Sequence, residues 1–301
     1  YNTYSGGYVP RGQYVGDMEF QRCRPTEYTY AVFDNVNDSR MWKTFKTVYG
    51  ICNNVATPDY VKAENAPTFG DQGVLFLLNK KDDTRFRKDE FGRAAIKHTF
   101  VNPETGKWVP NVAPVYAEGQ YVMNTYGTSA ANRSNMFCGI NKTADGSRTG
   151  EKGDAHRDVT MARVGETYLV KAECQVRNGD DAGALATINL LRKRAEWKAG
   201  EDREYYVDGT IAFKSNSTAS GNCAKGNKDA NGAKLTNQQA FEYSFIQKNS
   251  YVLSTGVERP VESESWNASS LQISSWNNLP AEDQAVLNGM GLSVNTLEGK
   301  V

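Results

Sequence analysis

The chain has 301 residues, enough for one large domain or two small ones, and its 35 basic and 35 acidic residues leave a formal net charge of zero. This balance, without a long basic run, argues against a nucleic-acid-binding protein, whose binding face normally carries a basic excess. The longest apolar run, at residues 74–78, is far shorter than the ~20 residues of a membrane-spanning helix.

The first half of the chain, residues 1–156, is rich in aromatic residues and poor in sustained periodicity, which indicates a loop-rich region. Within it, Met41, Phe45 and Val48 follow a helical spacing, so a short helix is expected over residues 41–49. The apolar run at 73–78 predicts a buried strand. Residues 102–107 contain the Pro and Gly of a turn between apolar flanks, which predicts a hairpin.

Residues 157–195 predict a helical hairpin. Asp158 is a good N-cap for the first helix, Gly179 suits a helix C-terminus with positive φ, and Asp180 or Asp181 can cap the second helix. The two helices carry apolar stripes, formed by Met161, Ala162, Gly165, Leu169, Ala172 and Val176 on the first and by Ala184, Leu185, Ile188, Leu191 and Ala195 on the second. We interpret the charged residues beside the stripes as scaffold, with Arg163 near Glu166 and with Arg192 or Arg194 reaching across the hairpin.

The last hundred residues alternate between polar loops and short helices. Residues 200–235 are rich in Gly, Asn, Ser and Lys and predict an exposed insertion. Short helices are expected from Thr236 to Ile246, from Leu279 to an end at Gly289, and from Val294 onward.

Motifs for catalysis or metal binding are missing from the sequence. There are two histidines, far apart, and no HExxH, GxSxG or Walker A pattern. The five cysteines are scattered and never stand in CxxC spacing. We therefore predict a protein without catalytic residues, metal or cofactor.

Two resemblances follow from the hairpin. Its Tyr168-Leu169, Ala172-Glu173, Gly179-Asp180 and Ala184 are similar to a tetratricopeptide unit. A longer pattern resembles the SusD/RagB family of surface nutrient-binding lipoproteins of Bacteroidetes, and it comprises Arg157-Asp158, Arg163, Glu166, Tyr168-Leu169, Ala172-Glu173, Ile188-Asn189, Arg192 and Arg194-Ala195. Asp38-Ser39-Arg40-Met41-Trp42 resembles that family's "DxRF" segment. The resemblance covers roughly residues 1–200.

The resemblance implies a mainly α, SusD-like fold with a tetratricopeptide-type hairpin, a large irregular loop-rich cap and minor β structure. Residues 1–301 would form one C-terminal region, divided into the cap at 1–156, the hairpin at 157–197 and an insertion with short helices at 198–301. The family's N-terminal half and closing segment are expected to be absent, the lipid anchor with them. The implied location is the cell surface at the outer membrane, and the implied partner is a SusC-like TonB-dependent transporter.

The resemblance also implies a glycan ligand. Sugar rings present apolar C–H faces flanked by hydroxyls, which suit aromatic side chains with polar neighbours. Candidate platform residues are Trp42, Tyr49, Trp108, Tyr121 and Tyr126, with Asp38 and Arg40 as polar neighbours. Each aromatic could instead be a core residue, and a peptide ligand of the RagB type, a glycan-degrading enzyme and a pure scaffold stay open as alternatives.

Overall fold

The chain folds into two compact units, each assembled from three segments. We call them the strand unit (Tyr1–Pro25, Trp42–Arg157 and Asp202–Arg259) and the helical unit (Thr26–Met41, Asp158–Glu201 and Pro260–Val301). The structure is a computed structural model, and it describes residues 25–34, 38, 40–51, 56–79, 81–88, 94–95, 99–103, 105–122, 124–125, 134–136, 138–140, 160–196, 231, 233, 245–246 and 271–301.

The described strands are short and all lie in the strand unit. They are β1 (Phe45–Lys46), β2 (Val48–Gly50), β3 (Gln72–Leu77), β4 (Arg87–Lys88), β5 (Ala94–Ala95), β6 (Asn111–Pro114), β7 (Tyr116–Ala117), β8 (Gln120–Tyr121), β9 (Asn124–Thr125), β10 (Ser134–Met136), β11 (Gly139–Ile140) and β12 (Phe245–Ile246). The main sheet has the order β12-β2-β3-β6, with β3 parallel to β6 and the other pairs antiparallel. The remaining strands form two-stranded ladders.

The strand β3 is the centre of this unit, and all six of its residues are buried. A strand covered on both faces carries a continuous apolar run instead of an alternating one, which is why residues 73–78 predicted it correctly. Its Leu75 and Leu77 pack with Val48 and Val109 in one apolar cluster. Buried Asn79 follows β3 and connects it to the start of β7, because its side chain makes three hydrogen bonds to Val115 and Tyr116.

The predicted hairpin at residues 102–107 is confirmed. Val101 and Trp108 pair as an antiparallel bridge, and the backbone N–H of Asn102 donates to the backbone carbonyl of Lys107 at 2.9 Å. Gly106 has a φ of +66°, a conformation that an L side chain rarely adopts.

The described helices are α1 (Glu27–Ala31), α2 (Arg40–Thr44), α3 (Val164–Arg177), α4 (Asp181–Ala195), α5 (Ala281–Met290) and α6 (Leu297–Lys300), with a short 3-10 helix at Ala63–Asn65. The fold therefore combines helices with some strands, as the resemblance predicted at that coarse level.

The expected helix over 41–49 was wrong beyond Thr44, because Phe45, Val48 and Tyr49 enter strands and are buried there. Burial of aromatic and β-branched side chains in the sheet overrides the local helical spacing.

The predicted helical hairpin is confirmed: α3 and α4 are both helices, and the turn between them lies at Gly179 and Asp180. Gly179 has a φ of +79°, its amide donates to the Val176 carbonyl, and the Asp180 amide donates to the Gln175 carbonyl. These two bonds form a Schellman motif. The Asp180 carboxylate then accepts from the Gly183 amide at 2.9 Å and so caps α4.

The first helix begins later than expected. Asp158 lies outside the described residues, and α3 begins at Val164 after non-helical residues 160–163. Met161, expected in the apolar stripe, is 91% exposed. A further turn of helix at this position would therefore gain no stabilisation from burying its side chain. From the predicted stripes, Ala172, Val176 and Ala184 do form a buried cluster.

A C-terminal segment covers this cluster. The indole of Trp276 packs against the cluster together with Ile188, and its Nε1 donates to the Asp181 carbonyl at 3.1 Å. The Asn189 amide group makes two reciprocal bonds of 2.9 Å with the backbone of Ile273. The segment 271–278 is thus held along α4.

The Arg192 interaction differs from the sequence-based expectation. Its guanidinium does not reach across the hairpin; it forms two hydrogen bonds of 3.0 and 2.7 Å with the Asp283 carboxylate in α5 and donates to the Leu271 carbonyl. Both side chains are partly buried, so the ion pair joins α4 to the C-terminal segment.

Three further expectations concern the chain after residue 200, and the structure differs from two of them. The predicted insertion at 200–235 lies outside the described residues, apart from positions 231 and 233. Phe245 and Ile246 were expected in a helix and instead form β12 beside β2. The helix α5 continues through Gly289 and ends at Met290, and Gly291, with a φ of +69°, provides the left-handed C-cap.

Candidate binding surface

One loop of the strand unit presents an aromatic ring on a well-anchored backbone. The loop at residues 56–66 is tied to the turn at 102–108 by a backbone bond of 2.9 Å from the Trp108 amide to the Asn65 carbonyl. The Asn65 side chain returns a bond of 2.8 Å to the Gly106 carbonyl. Two bonds between segments about forty residues apart in sequence fix the loop position, because each removes backbone freedom that an isolated loop would keep.

The ring presented by this loop is that of Tyr60. It is 52% exposed, whereas the indole of Trp108 beneath it is 3% exposed. The ring centroids are 6.1 Å apart and the planes meet at 82°, an edge-to-face contact of the kind that aromatic pairs prefer. The contact with the buried indole therefore restricts the orientation of the half-exposed phenol ring.

The surroundings of Tyr60 are polar and carry both signs of charge. Asp59 is exposed beside it, and Lys62 lies 3.6 Å from a Glu64 carboxylate oxygen. Both members of this pair are more than two-thirds exposed, so it contributes little to stability. The Lys107 ammonium donates to a backbone carbonyl of the loop 3.1 Å away. The loop thus carries a half-exposed aromatic ring and, close to it in sequence, exposed polar side chains.

The predicted platform residues Tyr49 and Trp108 are core residues in this structure. The Tyr49 ring is fully buried in β2 and makes an edge contact with Phe76 at 6.2 Å between centroids. A ring without an exposed face has no surface to offer a sugar, so neither side chain is available for stacking. Tyr121 is half-buried in β8, and its hydroxyl donates to the Pro25 carbonyl at 3.4 Å.

Two other predicted aromatics lie wholly or partly outside the described part of the structure. Trp42 lies in α2, and its side chain is outside the described part of the structure. Tyr126 lies outside the described residues altogether. For both positions the binding role stays a prediction.

The predicted polar residues Asp38 and Arg40 come together in the helical unit. The Asp38 carboxylate is 3% exposed and accepts bonds of 2.9 and 2.6 Å from Nε and Nη2 of Arg40, whose side chain is 54% exposed. The hydrogen bond to Asp38 raises the pKa of Arg40, and the more distant Asp283 carboxylate also raises it. The guanidinium lies 5.7 Å from the Phe33 ring centroid, and Asp38 pairs with Glu196 through the backbone. These contacts describe an ion pair that fixes the start of α2.

Sequence reasoning missed Tyr60, although a signal was present. The tyrosine follows Pro58 and Asp59, which favour a turn, and it lies in a stretch without apolar periodicity. Because loops run over protein surfaces, an aromatic residue in such a stretch is a better candidate for exposure than one inside an apolar run.

The described ranges contain neither a metal-binding cluster nor a membrane-spanning helix. In this part of the chain, no group of three or more His, Cys, Asp or Glu residues is arranged to hold a metal ion. None of the described helices combines the length and apolar character that crossing a bilayer requires.

Comparison of the sequence with models of protein families identifies the family of this chain. The model of the SusD family, which includes RagB, matches residues 6–243, well over half of the chain. The chain belongs to the SusD family. Comparisons with curated proteins and with solved structures gave no match.

Membership in the SusD family sets the general class of function. The family consists generally of non-catalytic nutrient-binding proteins that are associated with the outer membrane and work with SusC-like transporters. Its matched range includes Tyr60 and Trp108, Asp38 and Arg40, and the whole hairpin α3–α4.

Proposed function

We propose that this SusD-family chain captures glycans at the outer-membrane surface and delivers them to a SusC-like TonB-dependent transporter, without catalysing a reaction. One observation supports the glycan over other nutrients: the half-exposed Tyr60 ring, supported from below by the buried Trp108 indole. A sugar ring gains from such a surface because its apolar C–H face covers the phenol while its hydroxyls find polar neighbours.

The binding test is affinity electrophoresis through gels that contain neutral polysaccharides. Wild type, Tyr60→Ala and Tyr28→Ala are compared, because Tyr28 is also an exposed tyrosine, 62% exposed, but lies on α1 of the helical unit. We expect one or more glycans to slow the wild type and Tyr28→Ala, and Tyr60→Ala to migrate as in a gel without glycan. Equal retardation of all three proteins would remove Tyr60 from the site.

A second assay, competition with peptides, distinguishes a glycan ligand from a peptide ligand. If no glycan slows the wild type while a peptide mixture competes for a fluorescent peptide probe, the ligand class proposed here is wrong. Delivery to a transporter further predicts that a SusC-like protein co-purifies with the tagged protein from detergent-solubilised outer membranes.

We also propose that α3–α4 is one tetratricopeptide unit. Helices of 14 and 15 residues, a tight turn and the small residues Gly165, Ala172 and Ala184 support this assignment. Such a unit does not bury its apolar face alone, and Val164 and Leu169 are indeed more than half exposed. A peptide of residues 160–196 should therefore show little helix by circular dichroism, and a stable helical peptide would contradict the assignment.

A further inference from the structure

The loop that carries Tyr60 is built from two consecutive turns. The backbone N–H of Val61 donates to the Pro58 carbonyl at 3.0 Å, and the backbone N–H of Asn65 donates to the Lys62 carbonyl at 2.9 Å. Tyr60 and Asn65 are five positions apart. Because a hydrogen bond closes each turn, few backbone dihedral angles stay free between these two residues. A displacement of Asn65 therefore displaces the backbone of Tyr60.

Asn65 joins this loop to the turn at 102–108. Its side-chain amide donates to the Gly106 carbonyl at 2.8 Å, and its backbone carbonyl accepts from the Trp108 N–H at 2.9 Å. The same Trp108 carries the indole that contacts the Tyr60 ring. The loop is thus held against one turn at two points, by the ring contact at Tyr60 and by two hydrogen bonds at Asn65.

The turn is itself fixed to the main sheet. The backbone N–H of Gly106 donates to the Asn102 carbonyl at 2.8 Å, and the Asn102 side-chain amide donates to the side-chain oxygen of Gln72 in β3. Asn102 and Gln72 are both buried. A buried hydrogen bond resists breaking, because each separated partner would be left without water. A path of hydrogen bonds therefore runs from β3 through the turn to Asn65.

We infer that Asn65 is a positioning residue for glycan binding: its side-chain bond to Gly106 holds the Tyr60 ring where a sugar can cover it, without itself contacting the sugar. This inference rests on the proposed function and adds a residue to the same site. A sugar that stacks on Tyr60 binds only those molecules whose loop is in position, so the apparent Kd rises as the inverse of their fraction. Loss of the Asn65 bond therefore weakens binding although no contact with the ligand is removed.

The test compares two substitutions at Asn65 with a matched control. Asn65→Ala removes the donor, and Asn65→Asp replaces it by a carboxylate oxygen, which accepts hydrogen bonds only and repels the Gly106 carbonyl. Asn111→Ala is the control, because the Asn111 side-chain amide also donates to a backbone carbonyl, that of Gly73, but lies in β6, outside the loop and the turn.

Two quantities are measured on each variant after urea unfolding has shown that it is folded. One is the Kd, by calorimetry, of an oligosaccharide from a polymer that retains the wild type. The other is the rate at which trypsin cuts after Lys62, which is exposed in the loop between Tyr60 and Asn65. This rate follows the population of displaced loops when the loop returns faster than it is cut.

We expect the Kd to rise about twofold in Asn65→Ala, as when half of the loops are displaced, and about tenfold in Asn65→Asp. Cleavage after Lys62 should become faster in the same order. Asn111→Ala should match the wild type in both quantities. If Asn65→Asp does not fold, Asn65→Ala alone decides the question.

Each contrary outcome removes a different part of the proposal. An unchanged Kd in the folded Asn65 variants would overturn the positioning role and leave glycan binding by Tyr60 intact. A higher Kd without faster cleavage would overturn it too, because Asn65 would then contact the sugar directly. Binding that Tyr60→Ala leaves unchanged would place the site elsewhere, and no retention of the wild type by any glycan would overturn the proposed function together with this inference.

Discussion

Replacing Trp276 tests how the helical hairpin is held together. Its indole packs on the buried cluster of Ala172, Val176 and Ala184, and its Nε1 bonds to a backbone carbonyl. Truncating a fully buried Trp to Ala costs about 3–5 kcal/mol. Since Trp276 is only half-buried but also loses a hydrogen bond, worth about 1 kcal/mol, we expect Trp276→Ala to lower the free energy of unfolding by about 2–4 kcal/mol.

The assay is urea unfolding followed by circular dichroism, with hydrogen exchange to locate the effect. A loss of 2 kcal/mol corresponds to about 30-fold less protection of the α3 and α4 amides if they open together. Trp276→Phe keeps an aromatic ring and should lose about half as much. Leu190→Ala, on an exposed position of the same hairpin, should stay within about 0.5 kcal/mol of wild type.

Unfolding of Trp276→Ala at the wild-type urea concentration, with unchanged protection of the α3 and α4 amides, would contradict a stabilising role of the indole. The C-terminal segment would then lie beside the hairpin without stabilising it.

Three further predictions concern stability. Asn79→Ala removes three buried hydrogen bonds and should lower the free energy of unfolding in urea by about 2–4 kcal/mol. The control Asn111→Ala loses one hydrogen bond of 3.3 Å and should cost less than about 1 kcal/mol, so equal costs for the two variants would contradict the prediction. Gly179→Ala forces a side chain to φ +79° and should lower the free energy of unfolding by roughly 1 kcal/mol, which is measured as a lower melting temperature of the helical signal; an unchanged melting temperature would show that the turn adjusts. Asp283→Asn leaves partly buried Arg192 without its carboxylate and should destabilise by about 1–3 kcal/mol, an effect that calorimetry should find largely unchanged by salt; no loss would mean that the ion pair is dispensable.

The local elements with strong chemical signals were predictable from sequence. The apolar run at 73–78, the Pro and Gly of the 102–107 turn, and the Gly179-Asp180 junction each dictate one conformation for a local reason. Elements decided by long-range contacts were not predictable. Val48 and Tyr49 fit a helical spacing, yet their side chains gain more by burial between β12 and β3.

The exposure of individual aromatic residues was not predictable from the sequence. Composition indicates that aromatic side chains are abundant, but it does not say which rings are exposed, since exposure depends on what packs above each one. Trp108 was predicted as a platform and its side chain is buried, while Tyr60, whose half-exposed ring contacts it, was not among the predicted residues. Only the tertiary contact between the 56–66 loop and the 102–108 turn distinguishes the two roles.

The measurement that tests the glycan-binding surface most directly is calorimetric titration of an oligosaccharide from the retained polymer into wild type, Tyr60→Phe and Tyr60→Ala. A ring that covers roughly 40–80 Å² of apolar sugar surface contributes about 1–2 kcal/mol at ~25 cal/mol per Å², which corresponds to about 5- to 30-fold in Kd. We expect Tyr60→Phe to bind nearly as tightly as wild type and Tyr60→Ala to bind at least about fivefold more weakly. Equal Kd values for wild type and Tyr60→Ala would contradict the account, because the sugar would then bind without the ring.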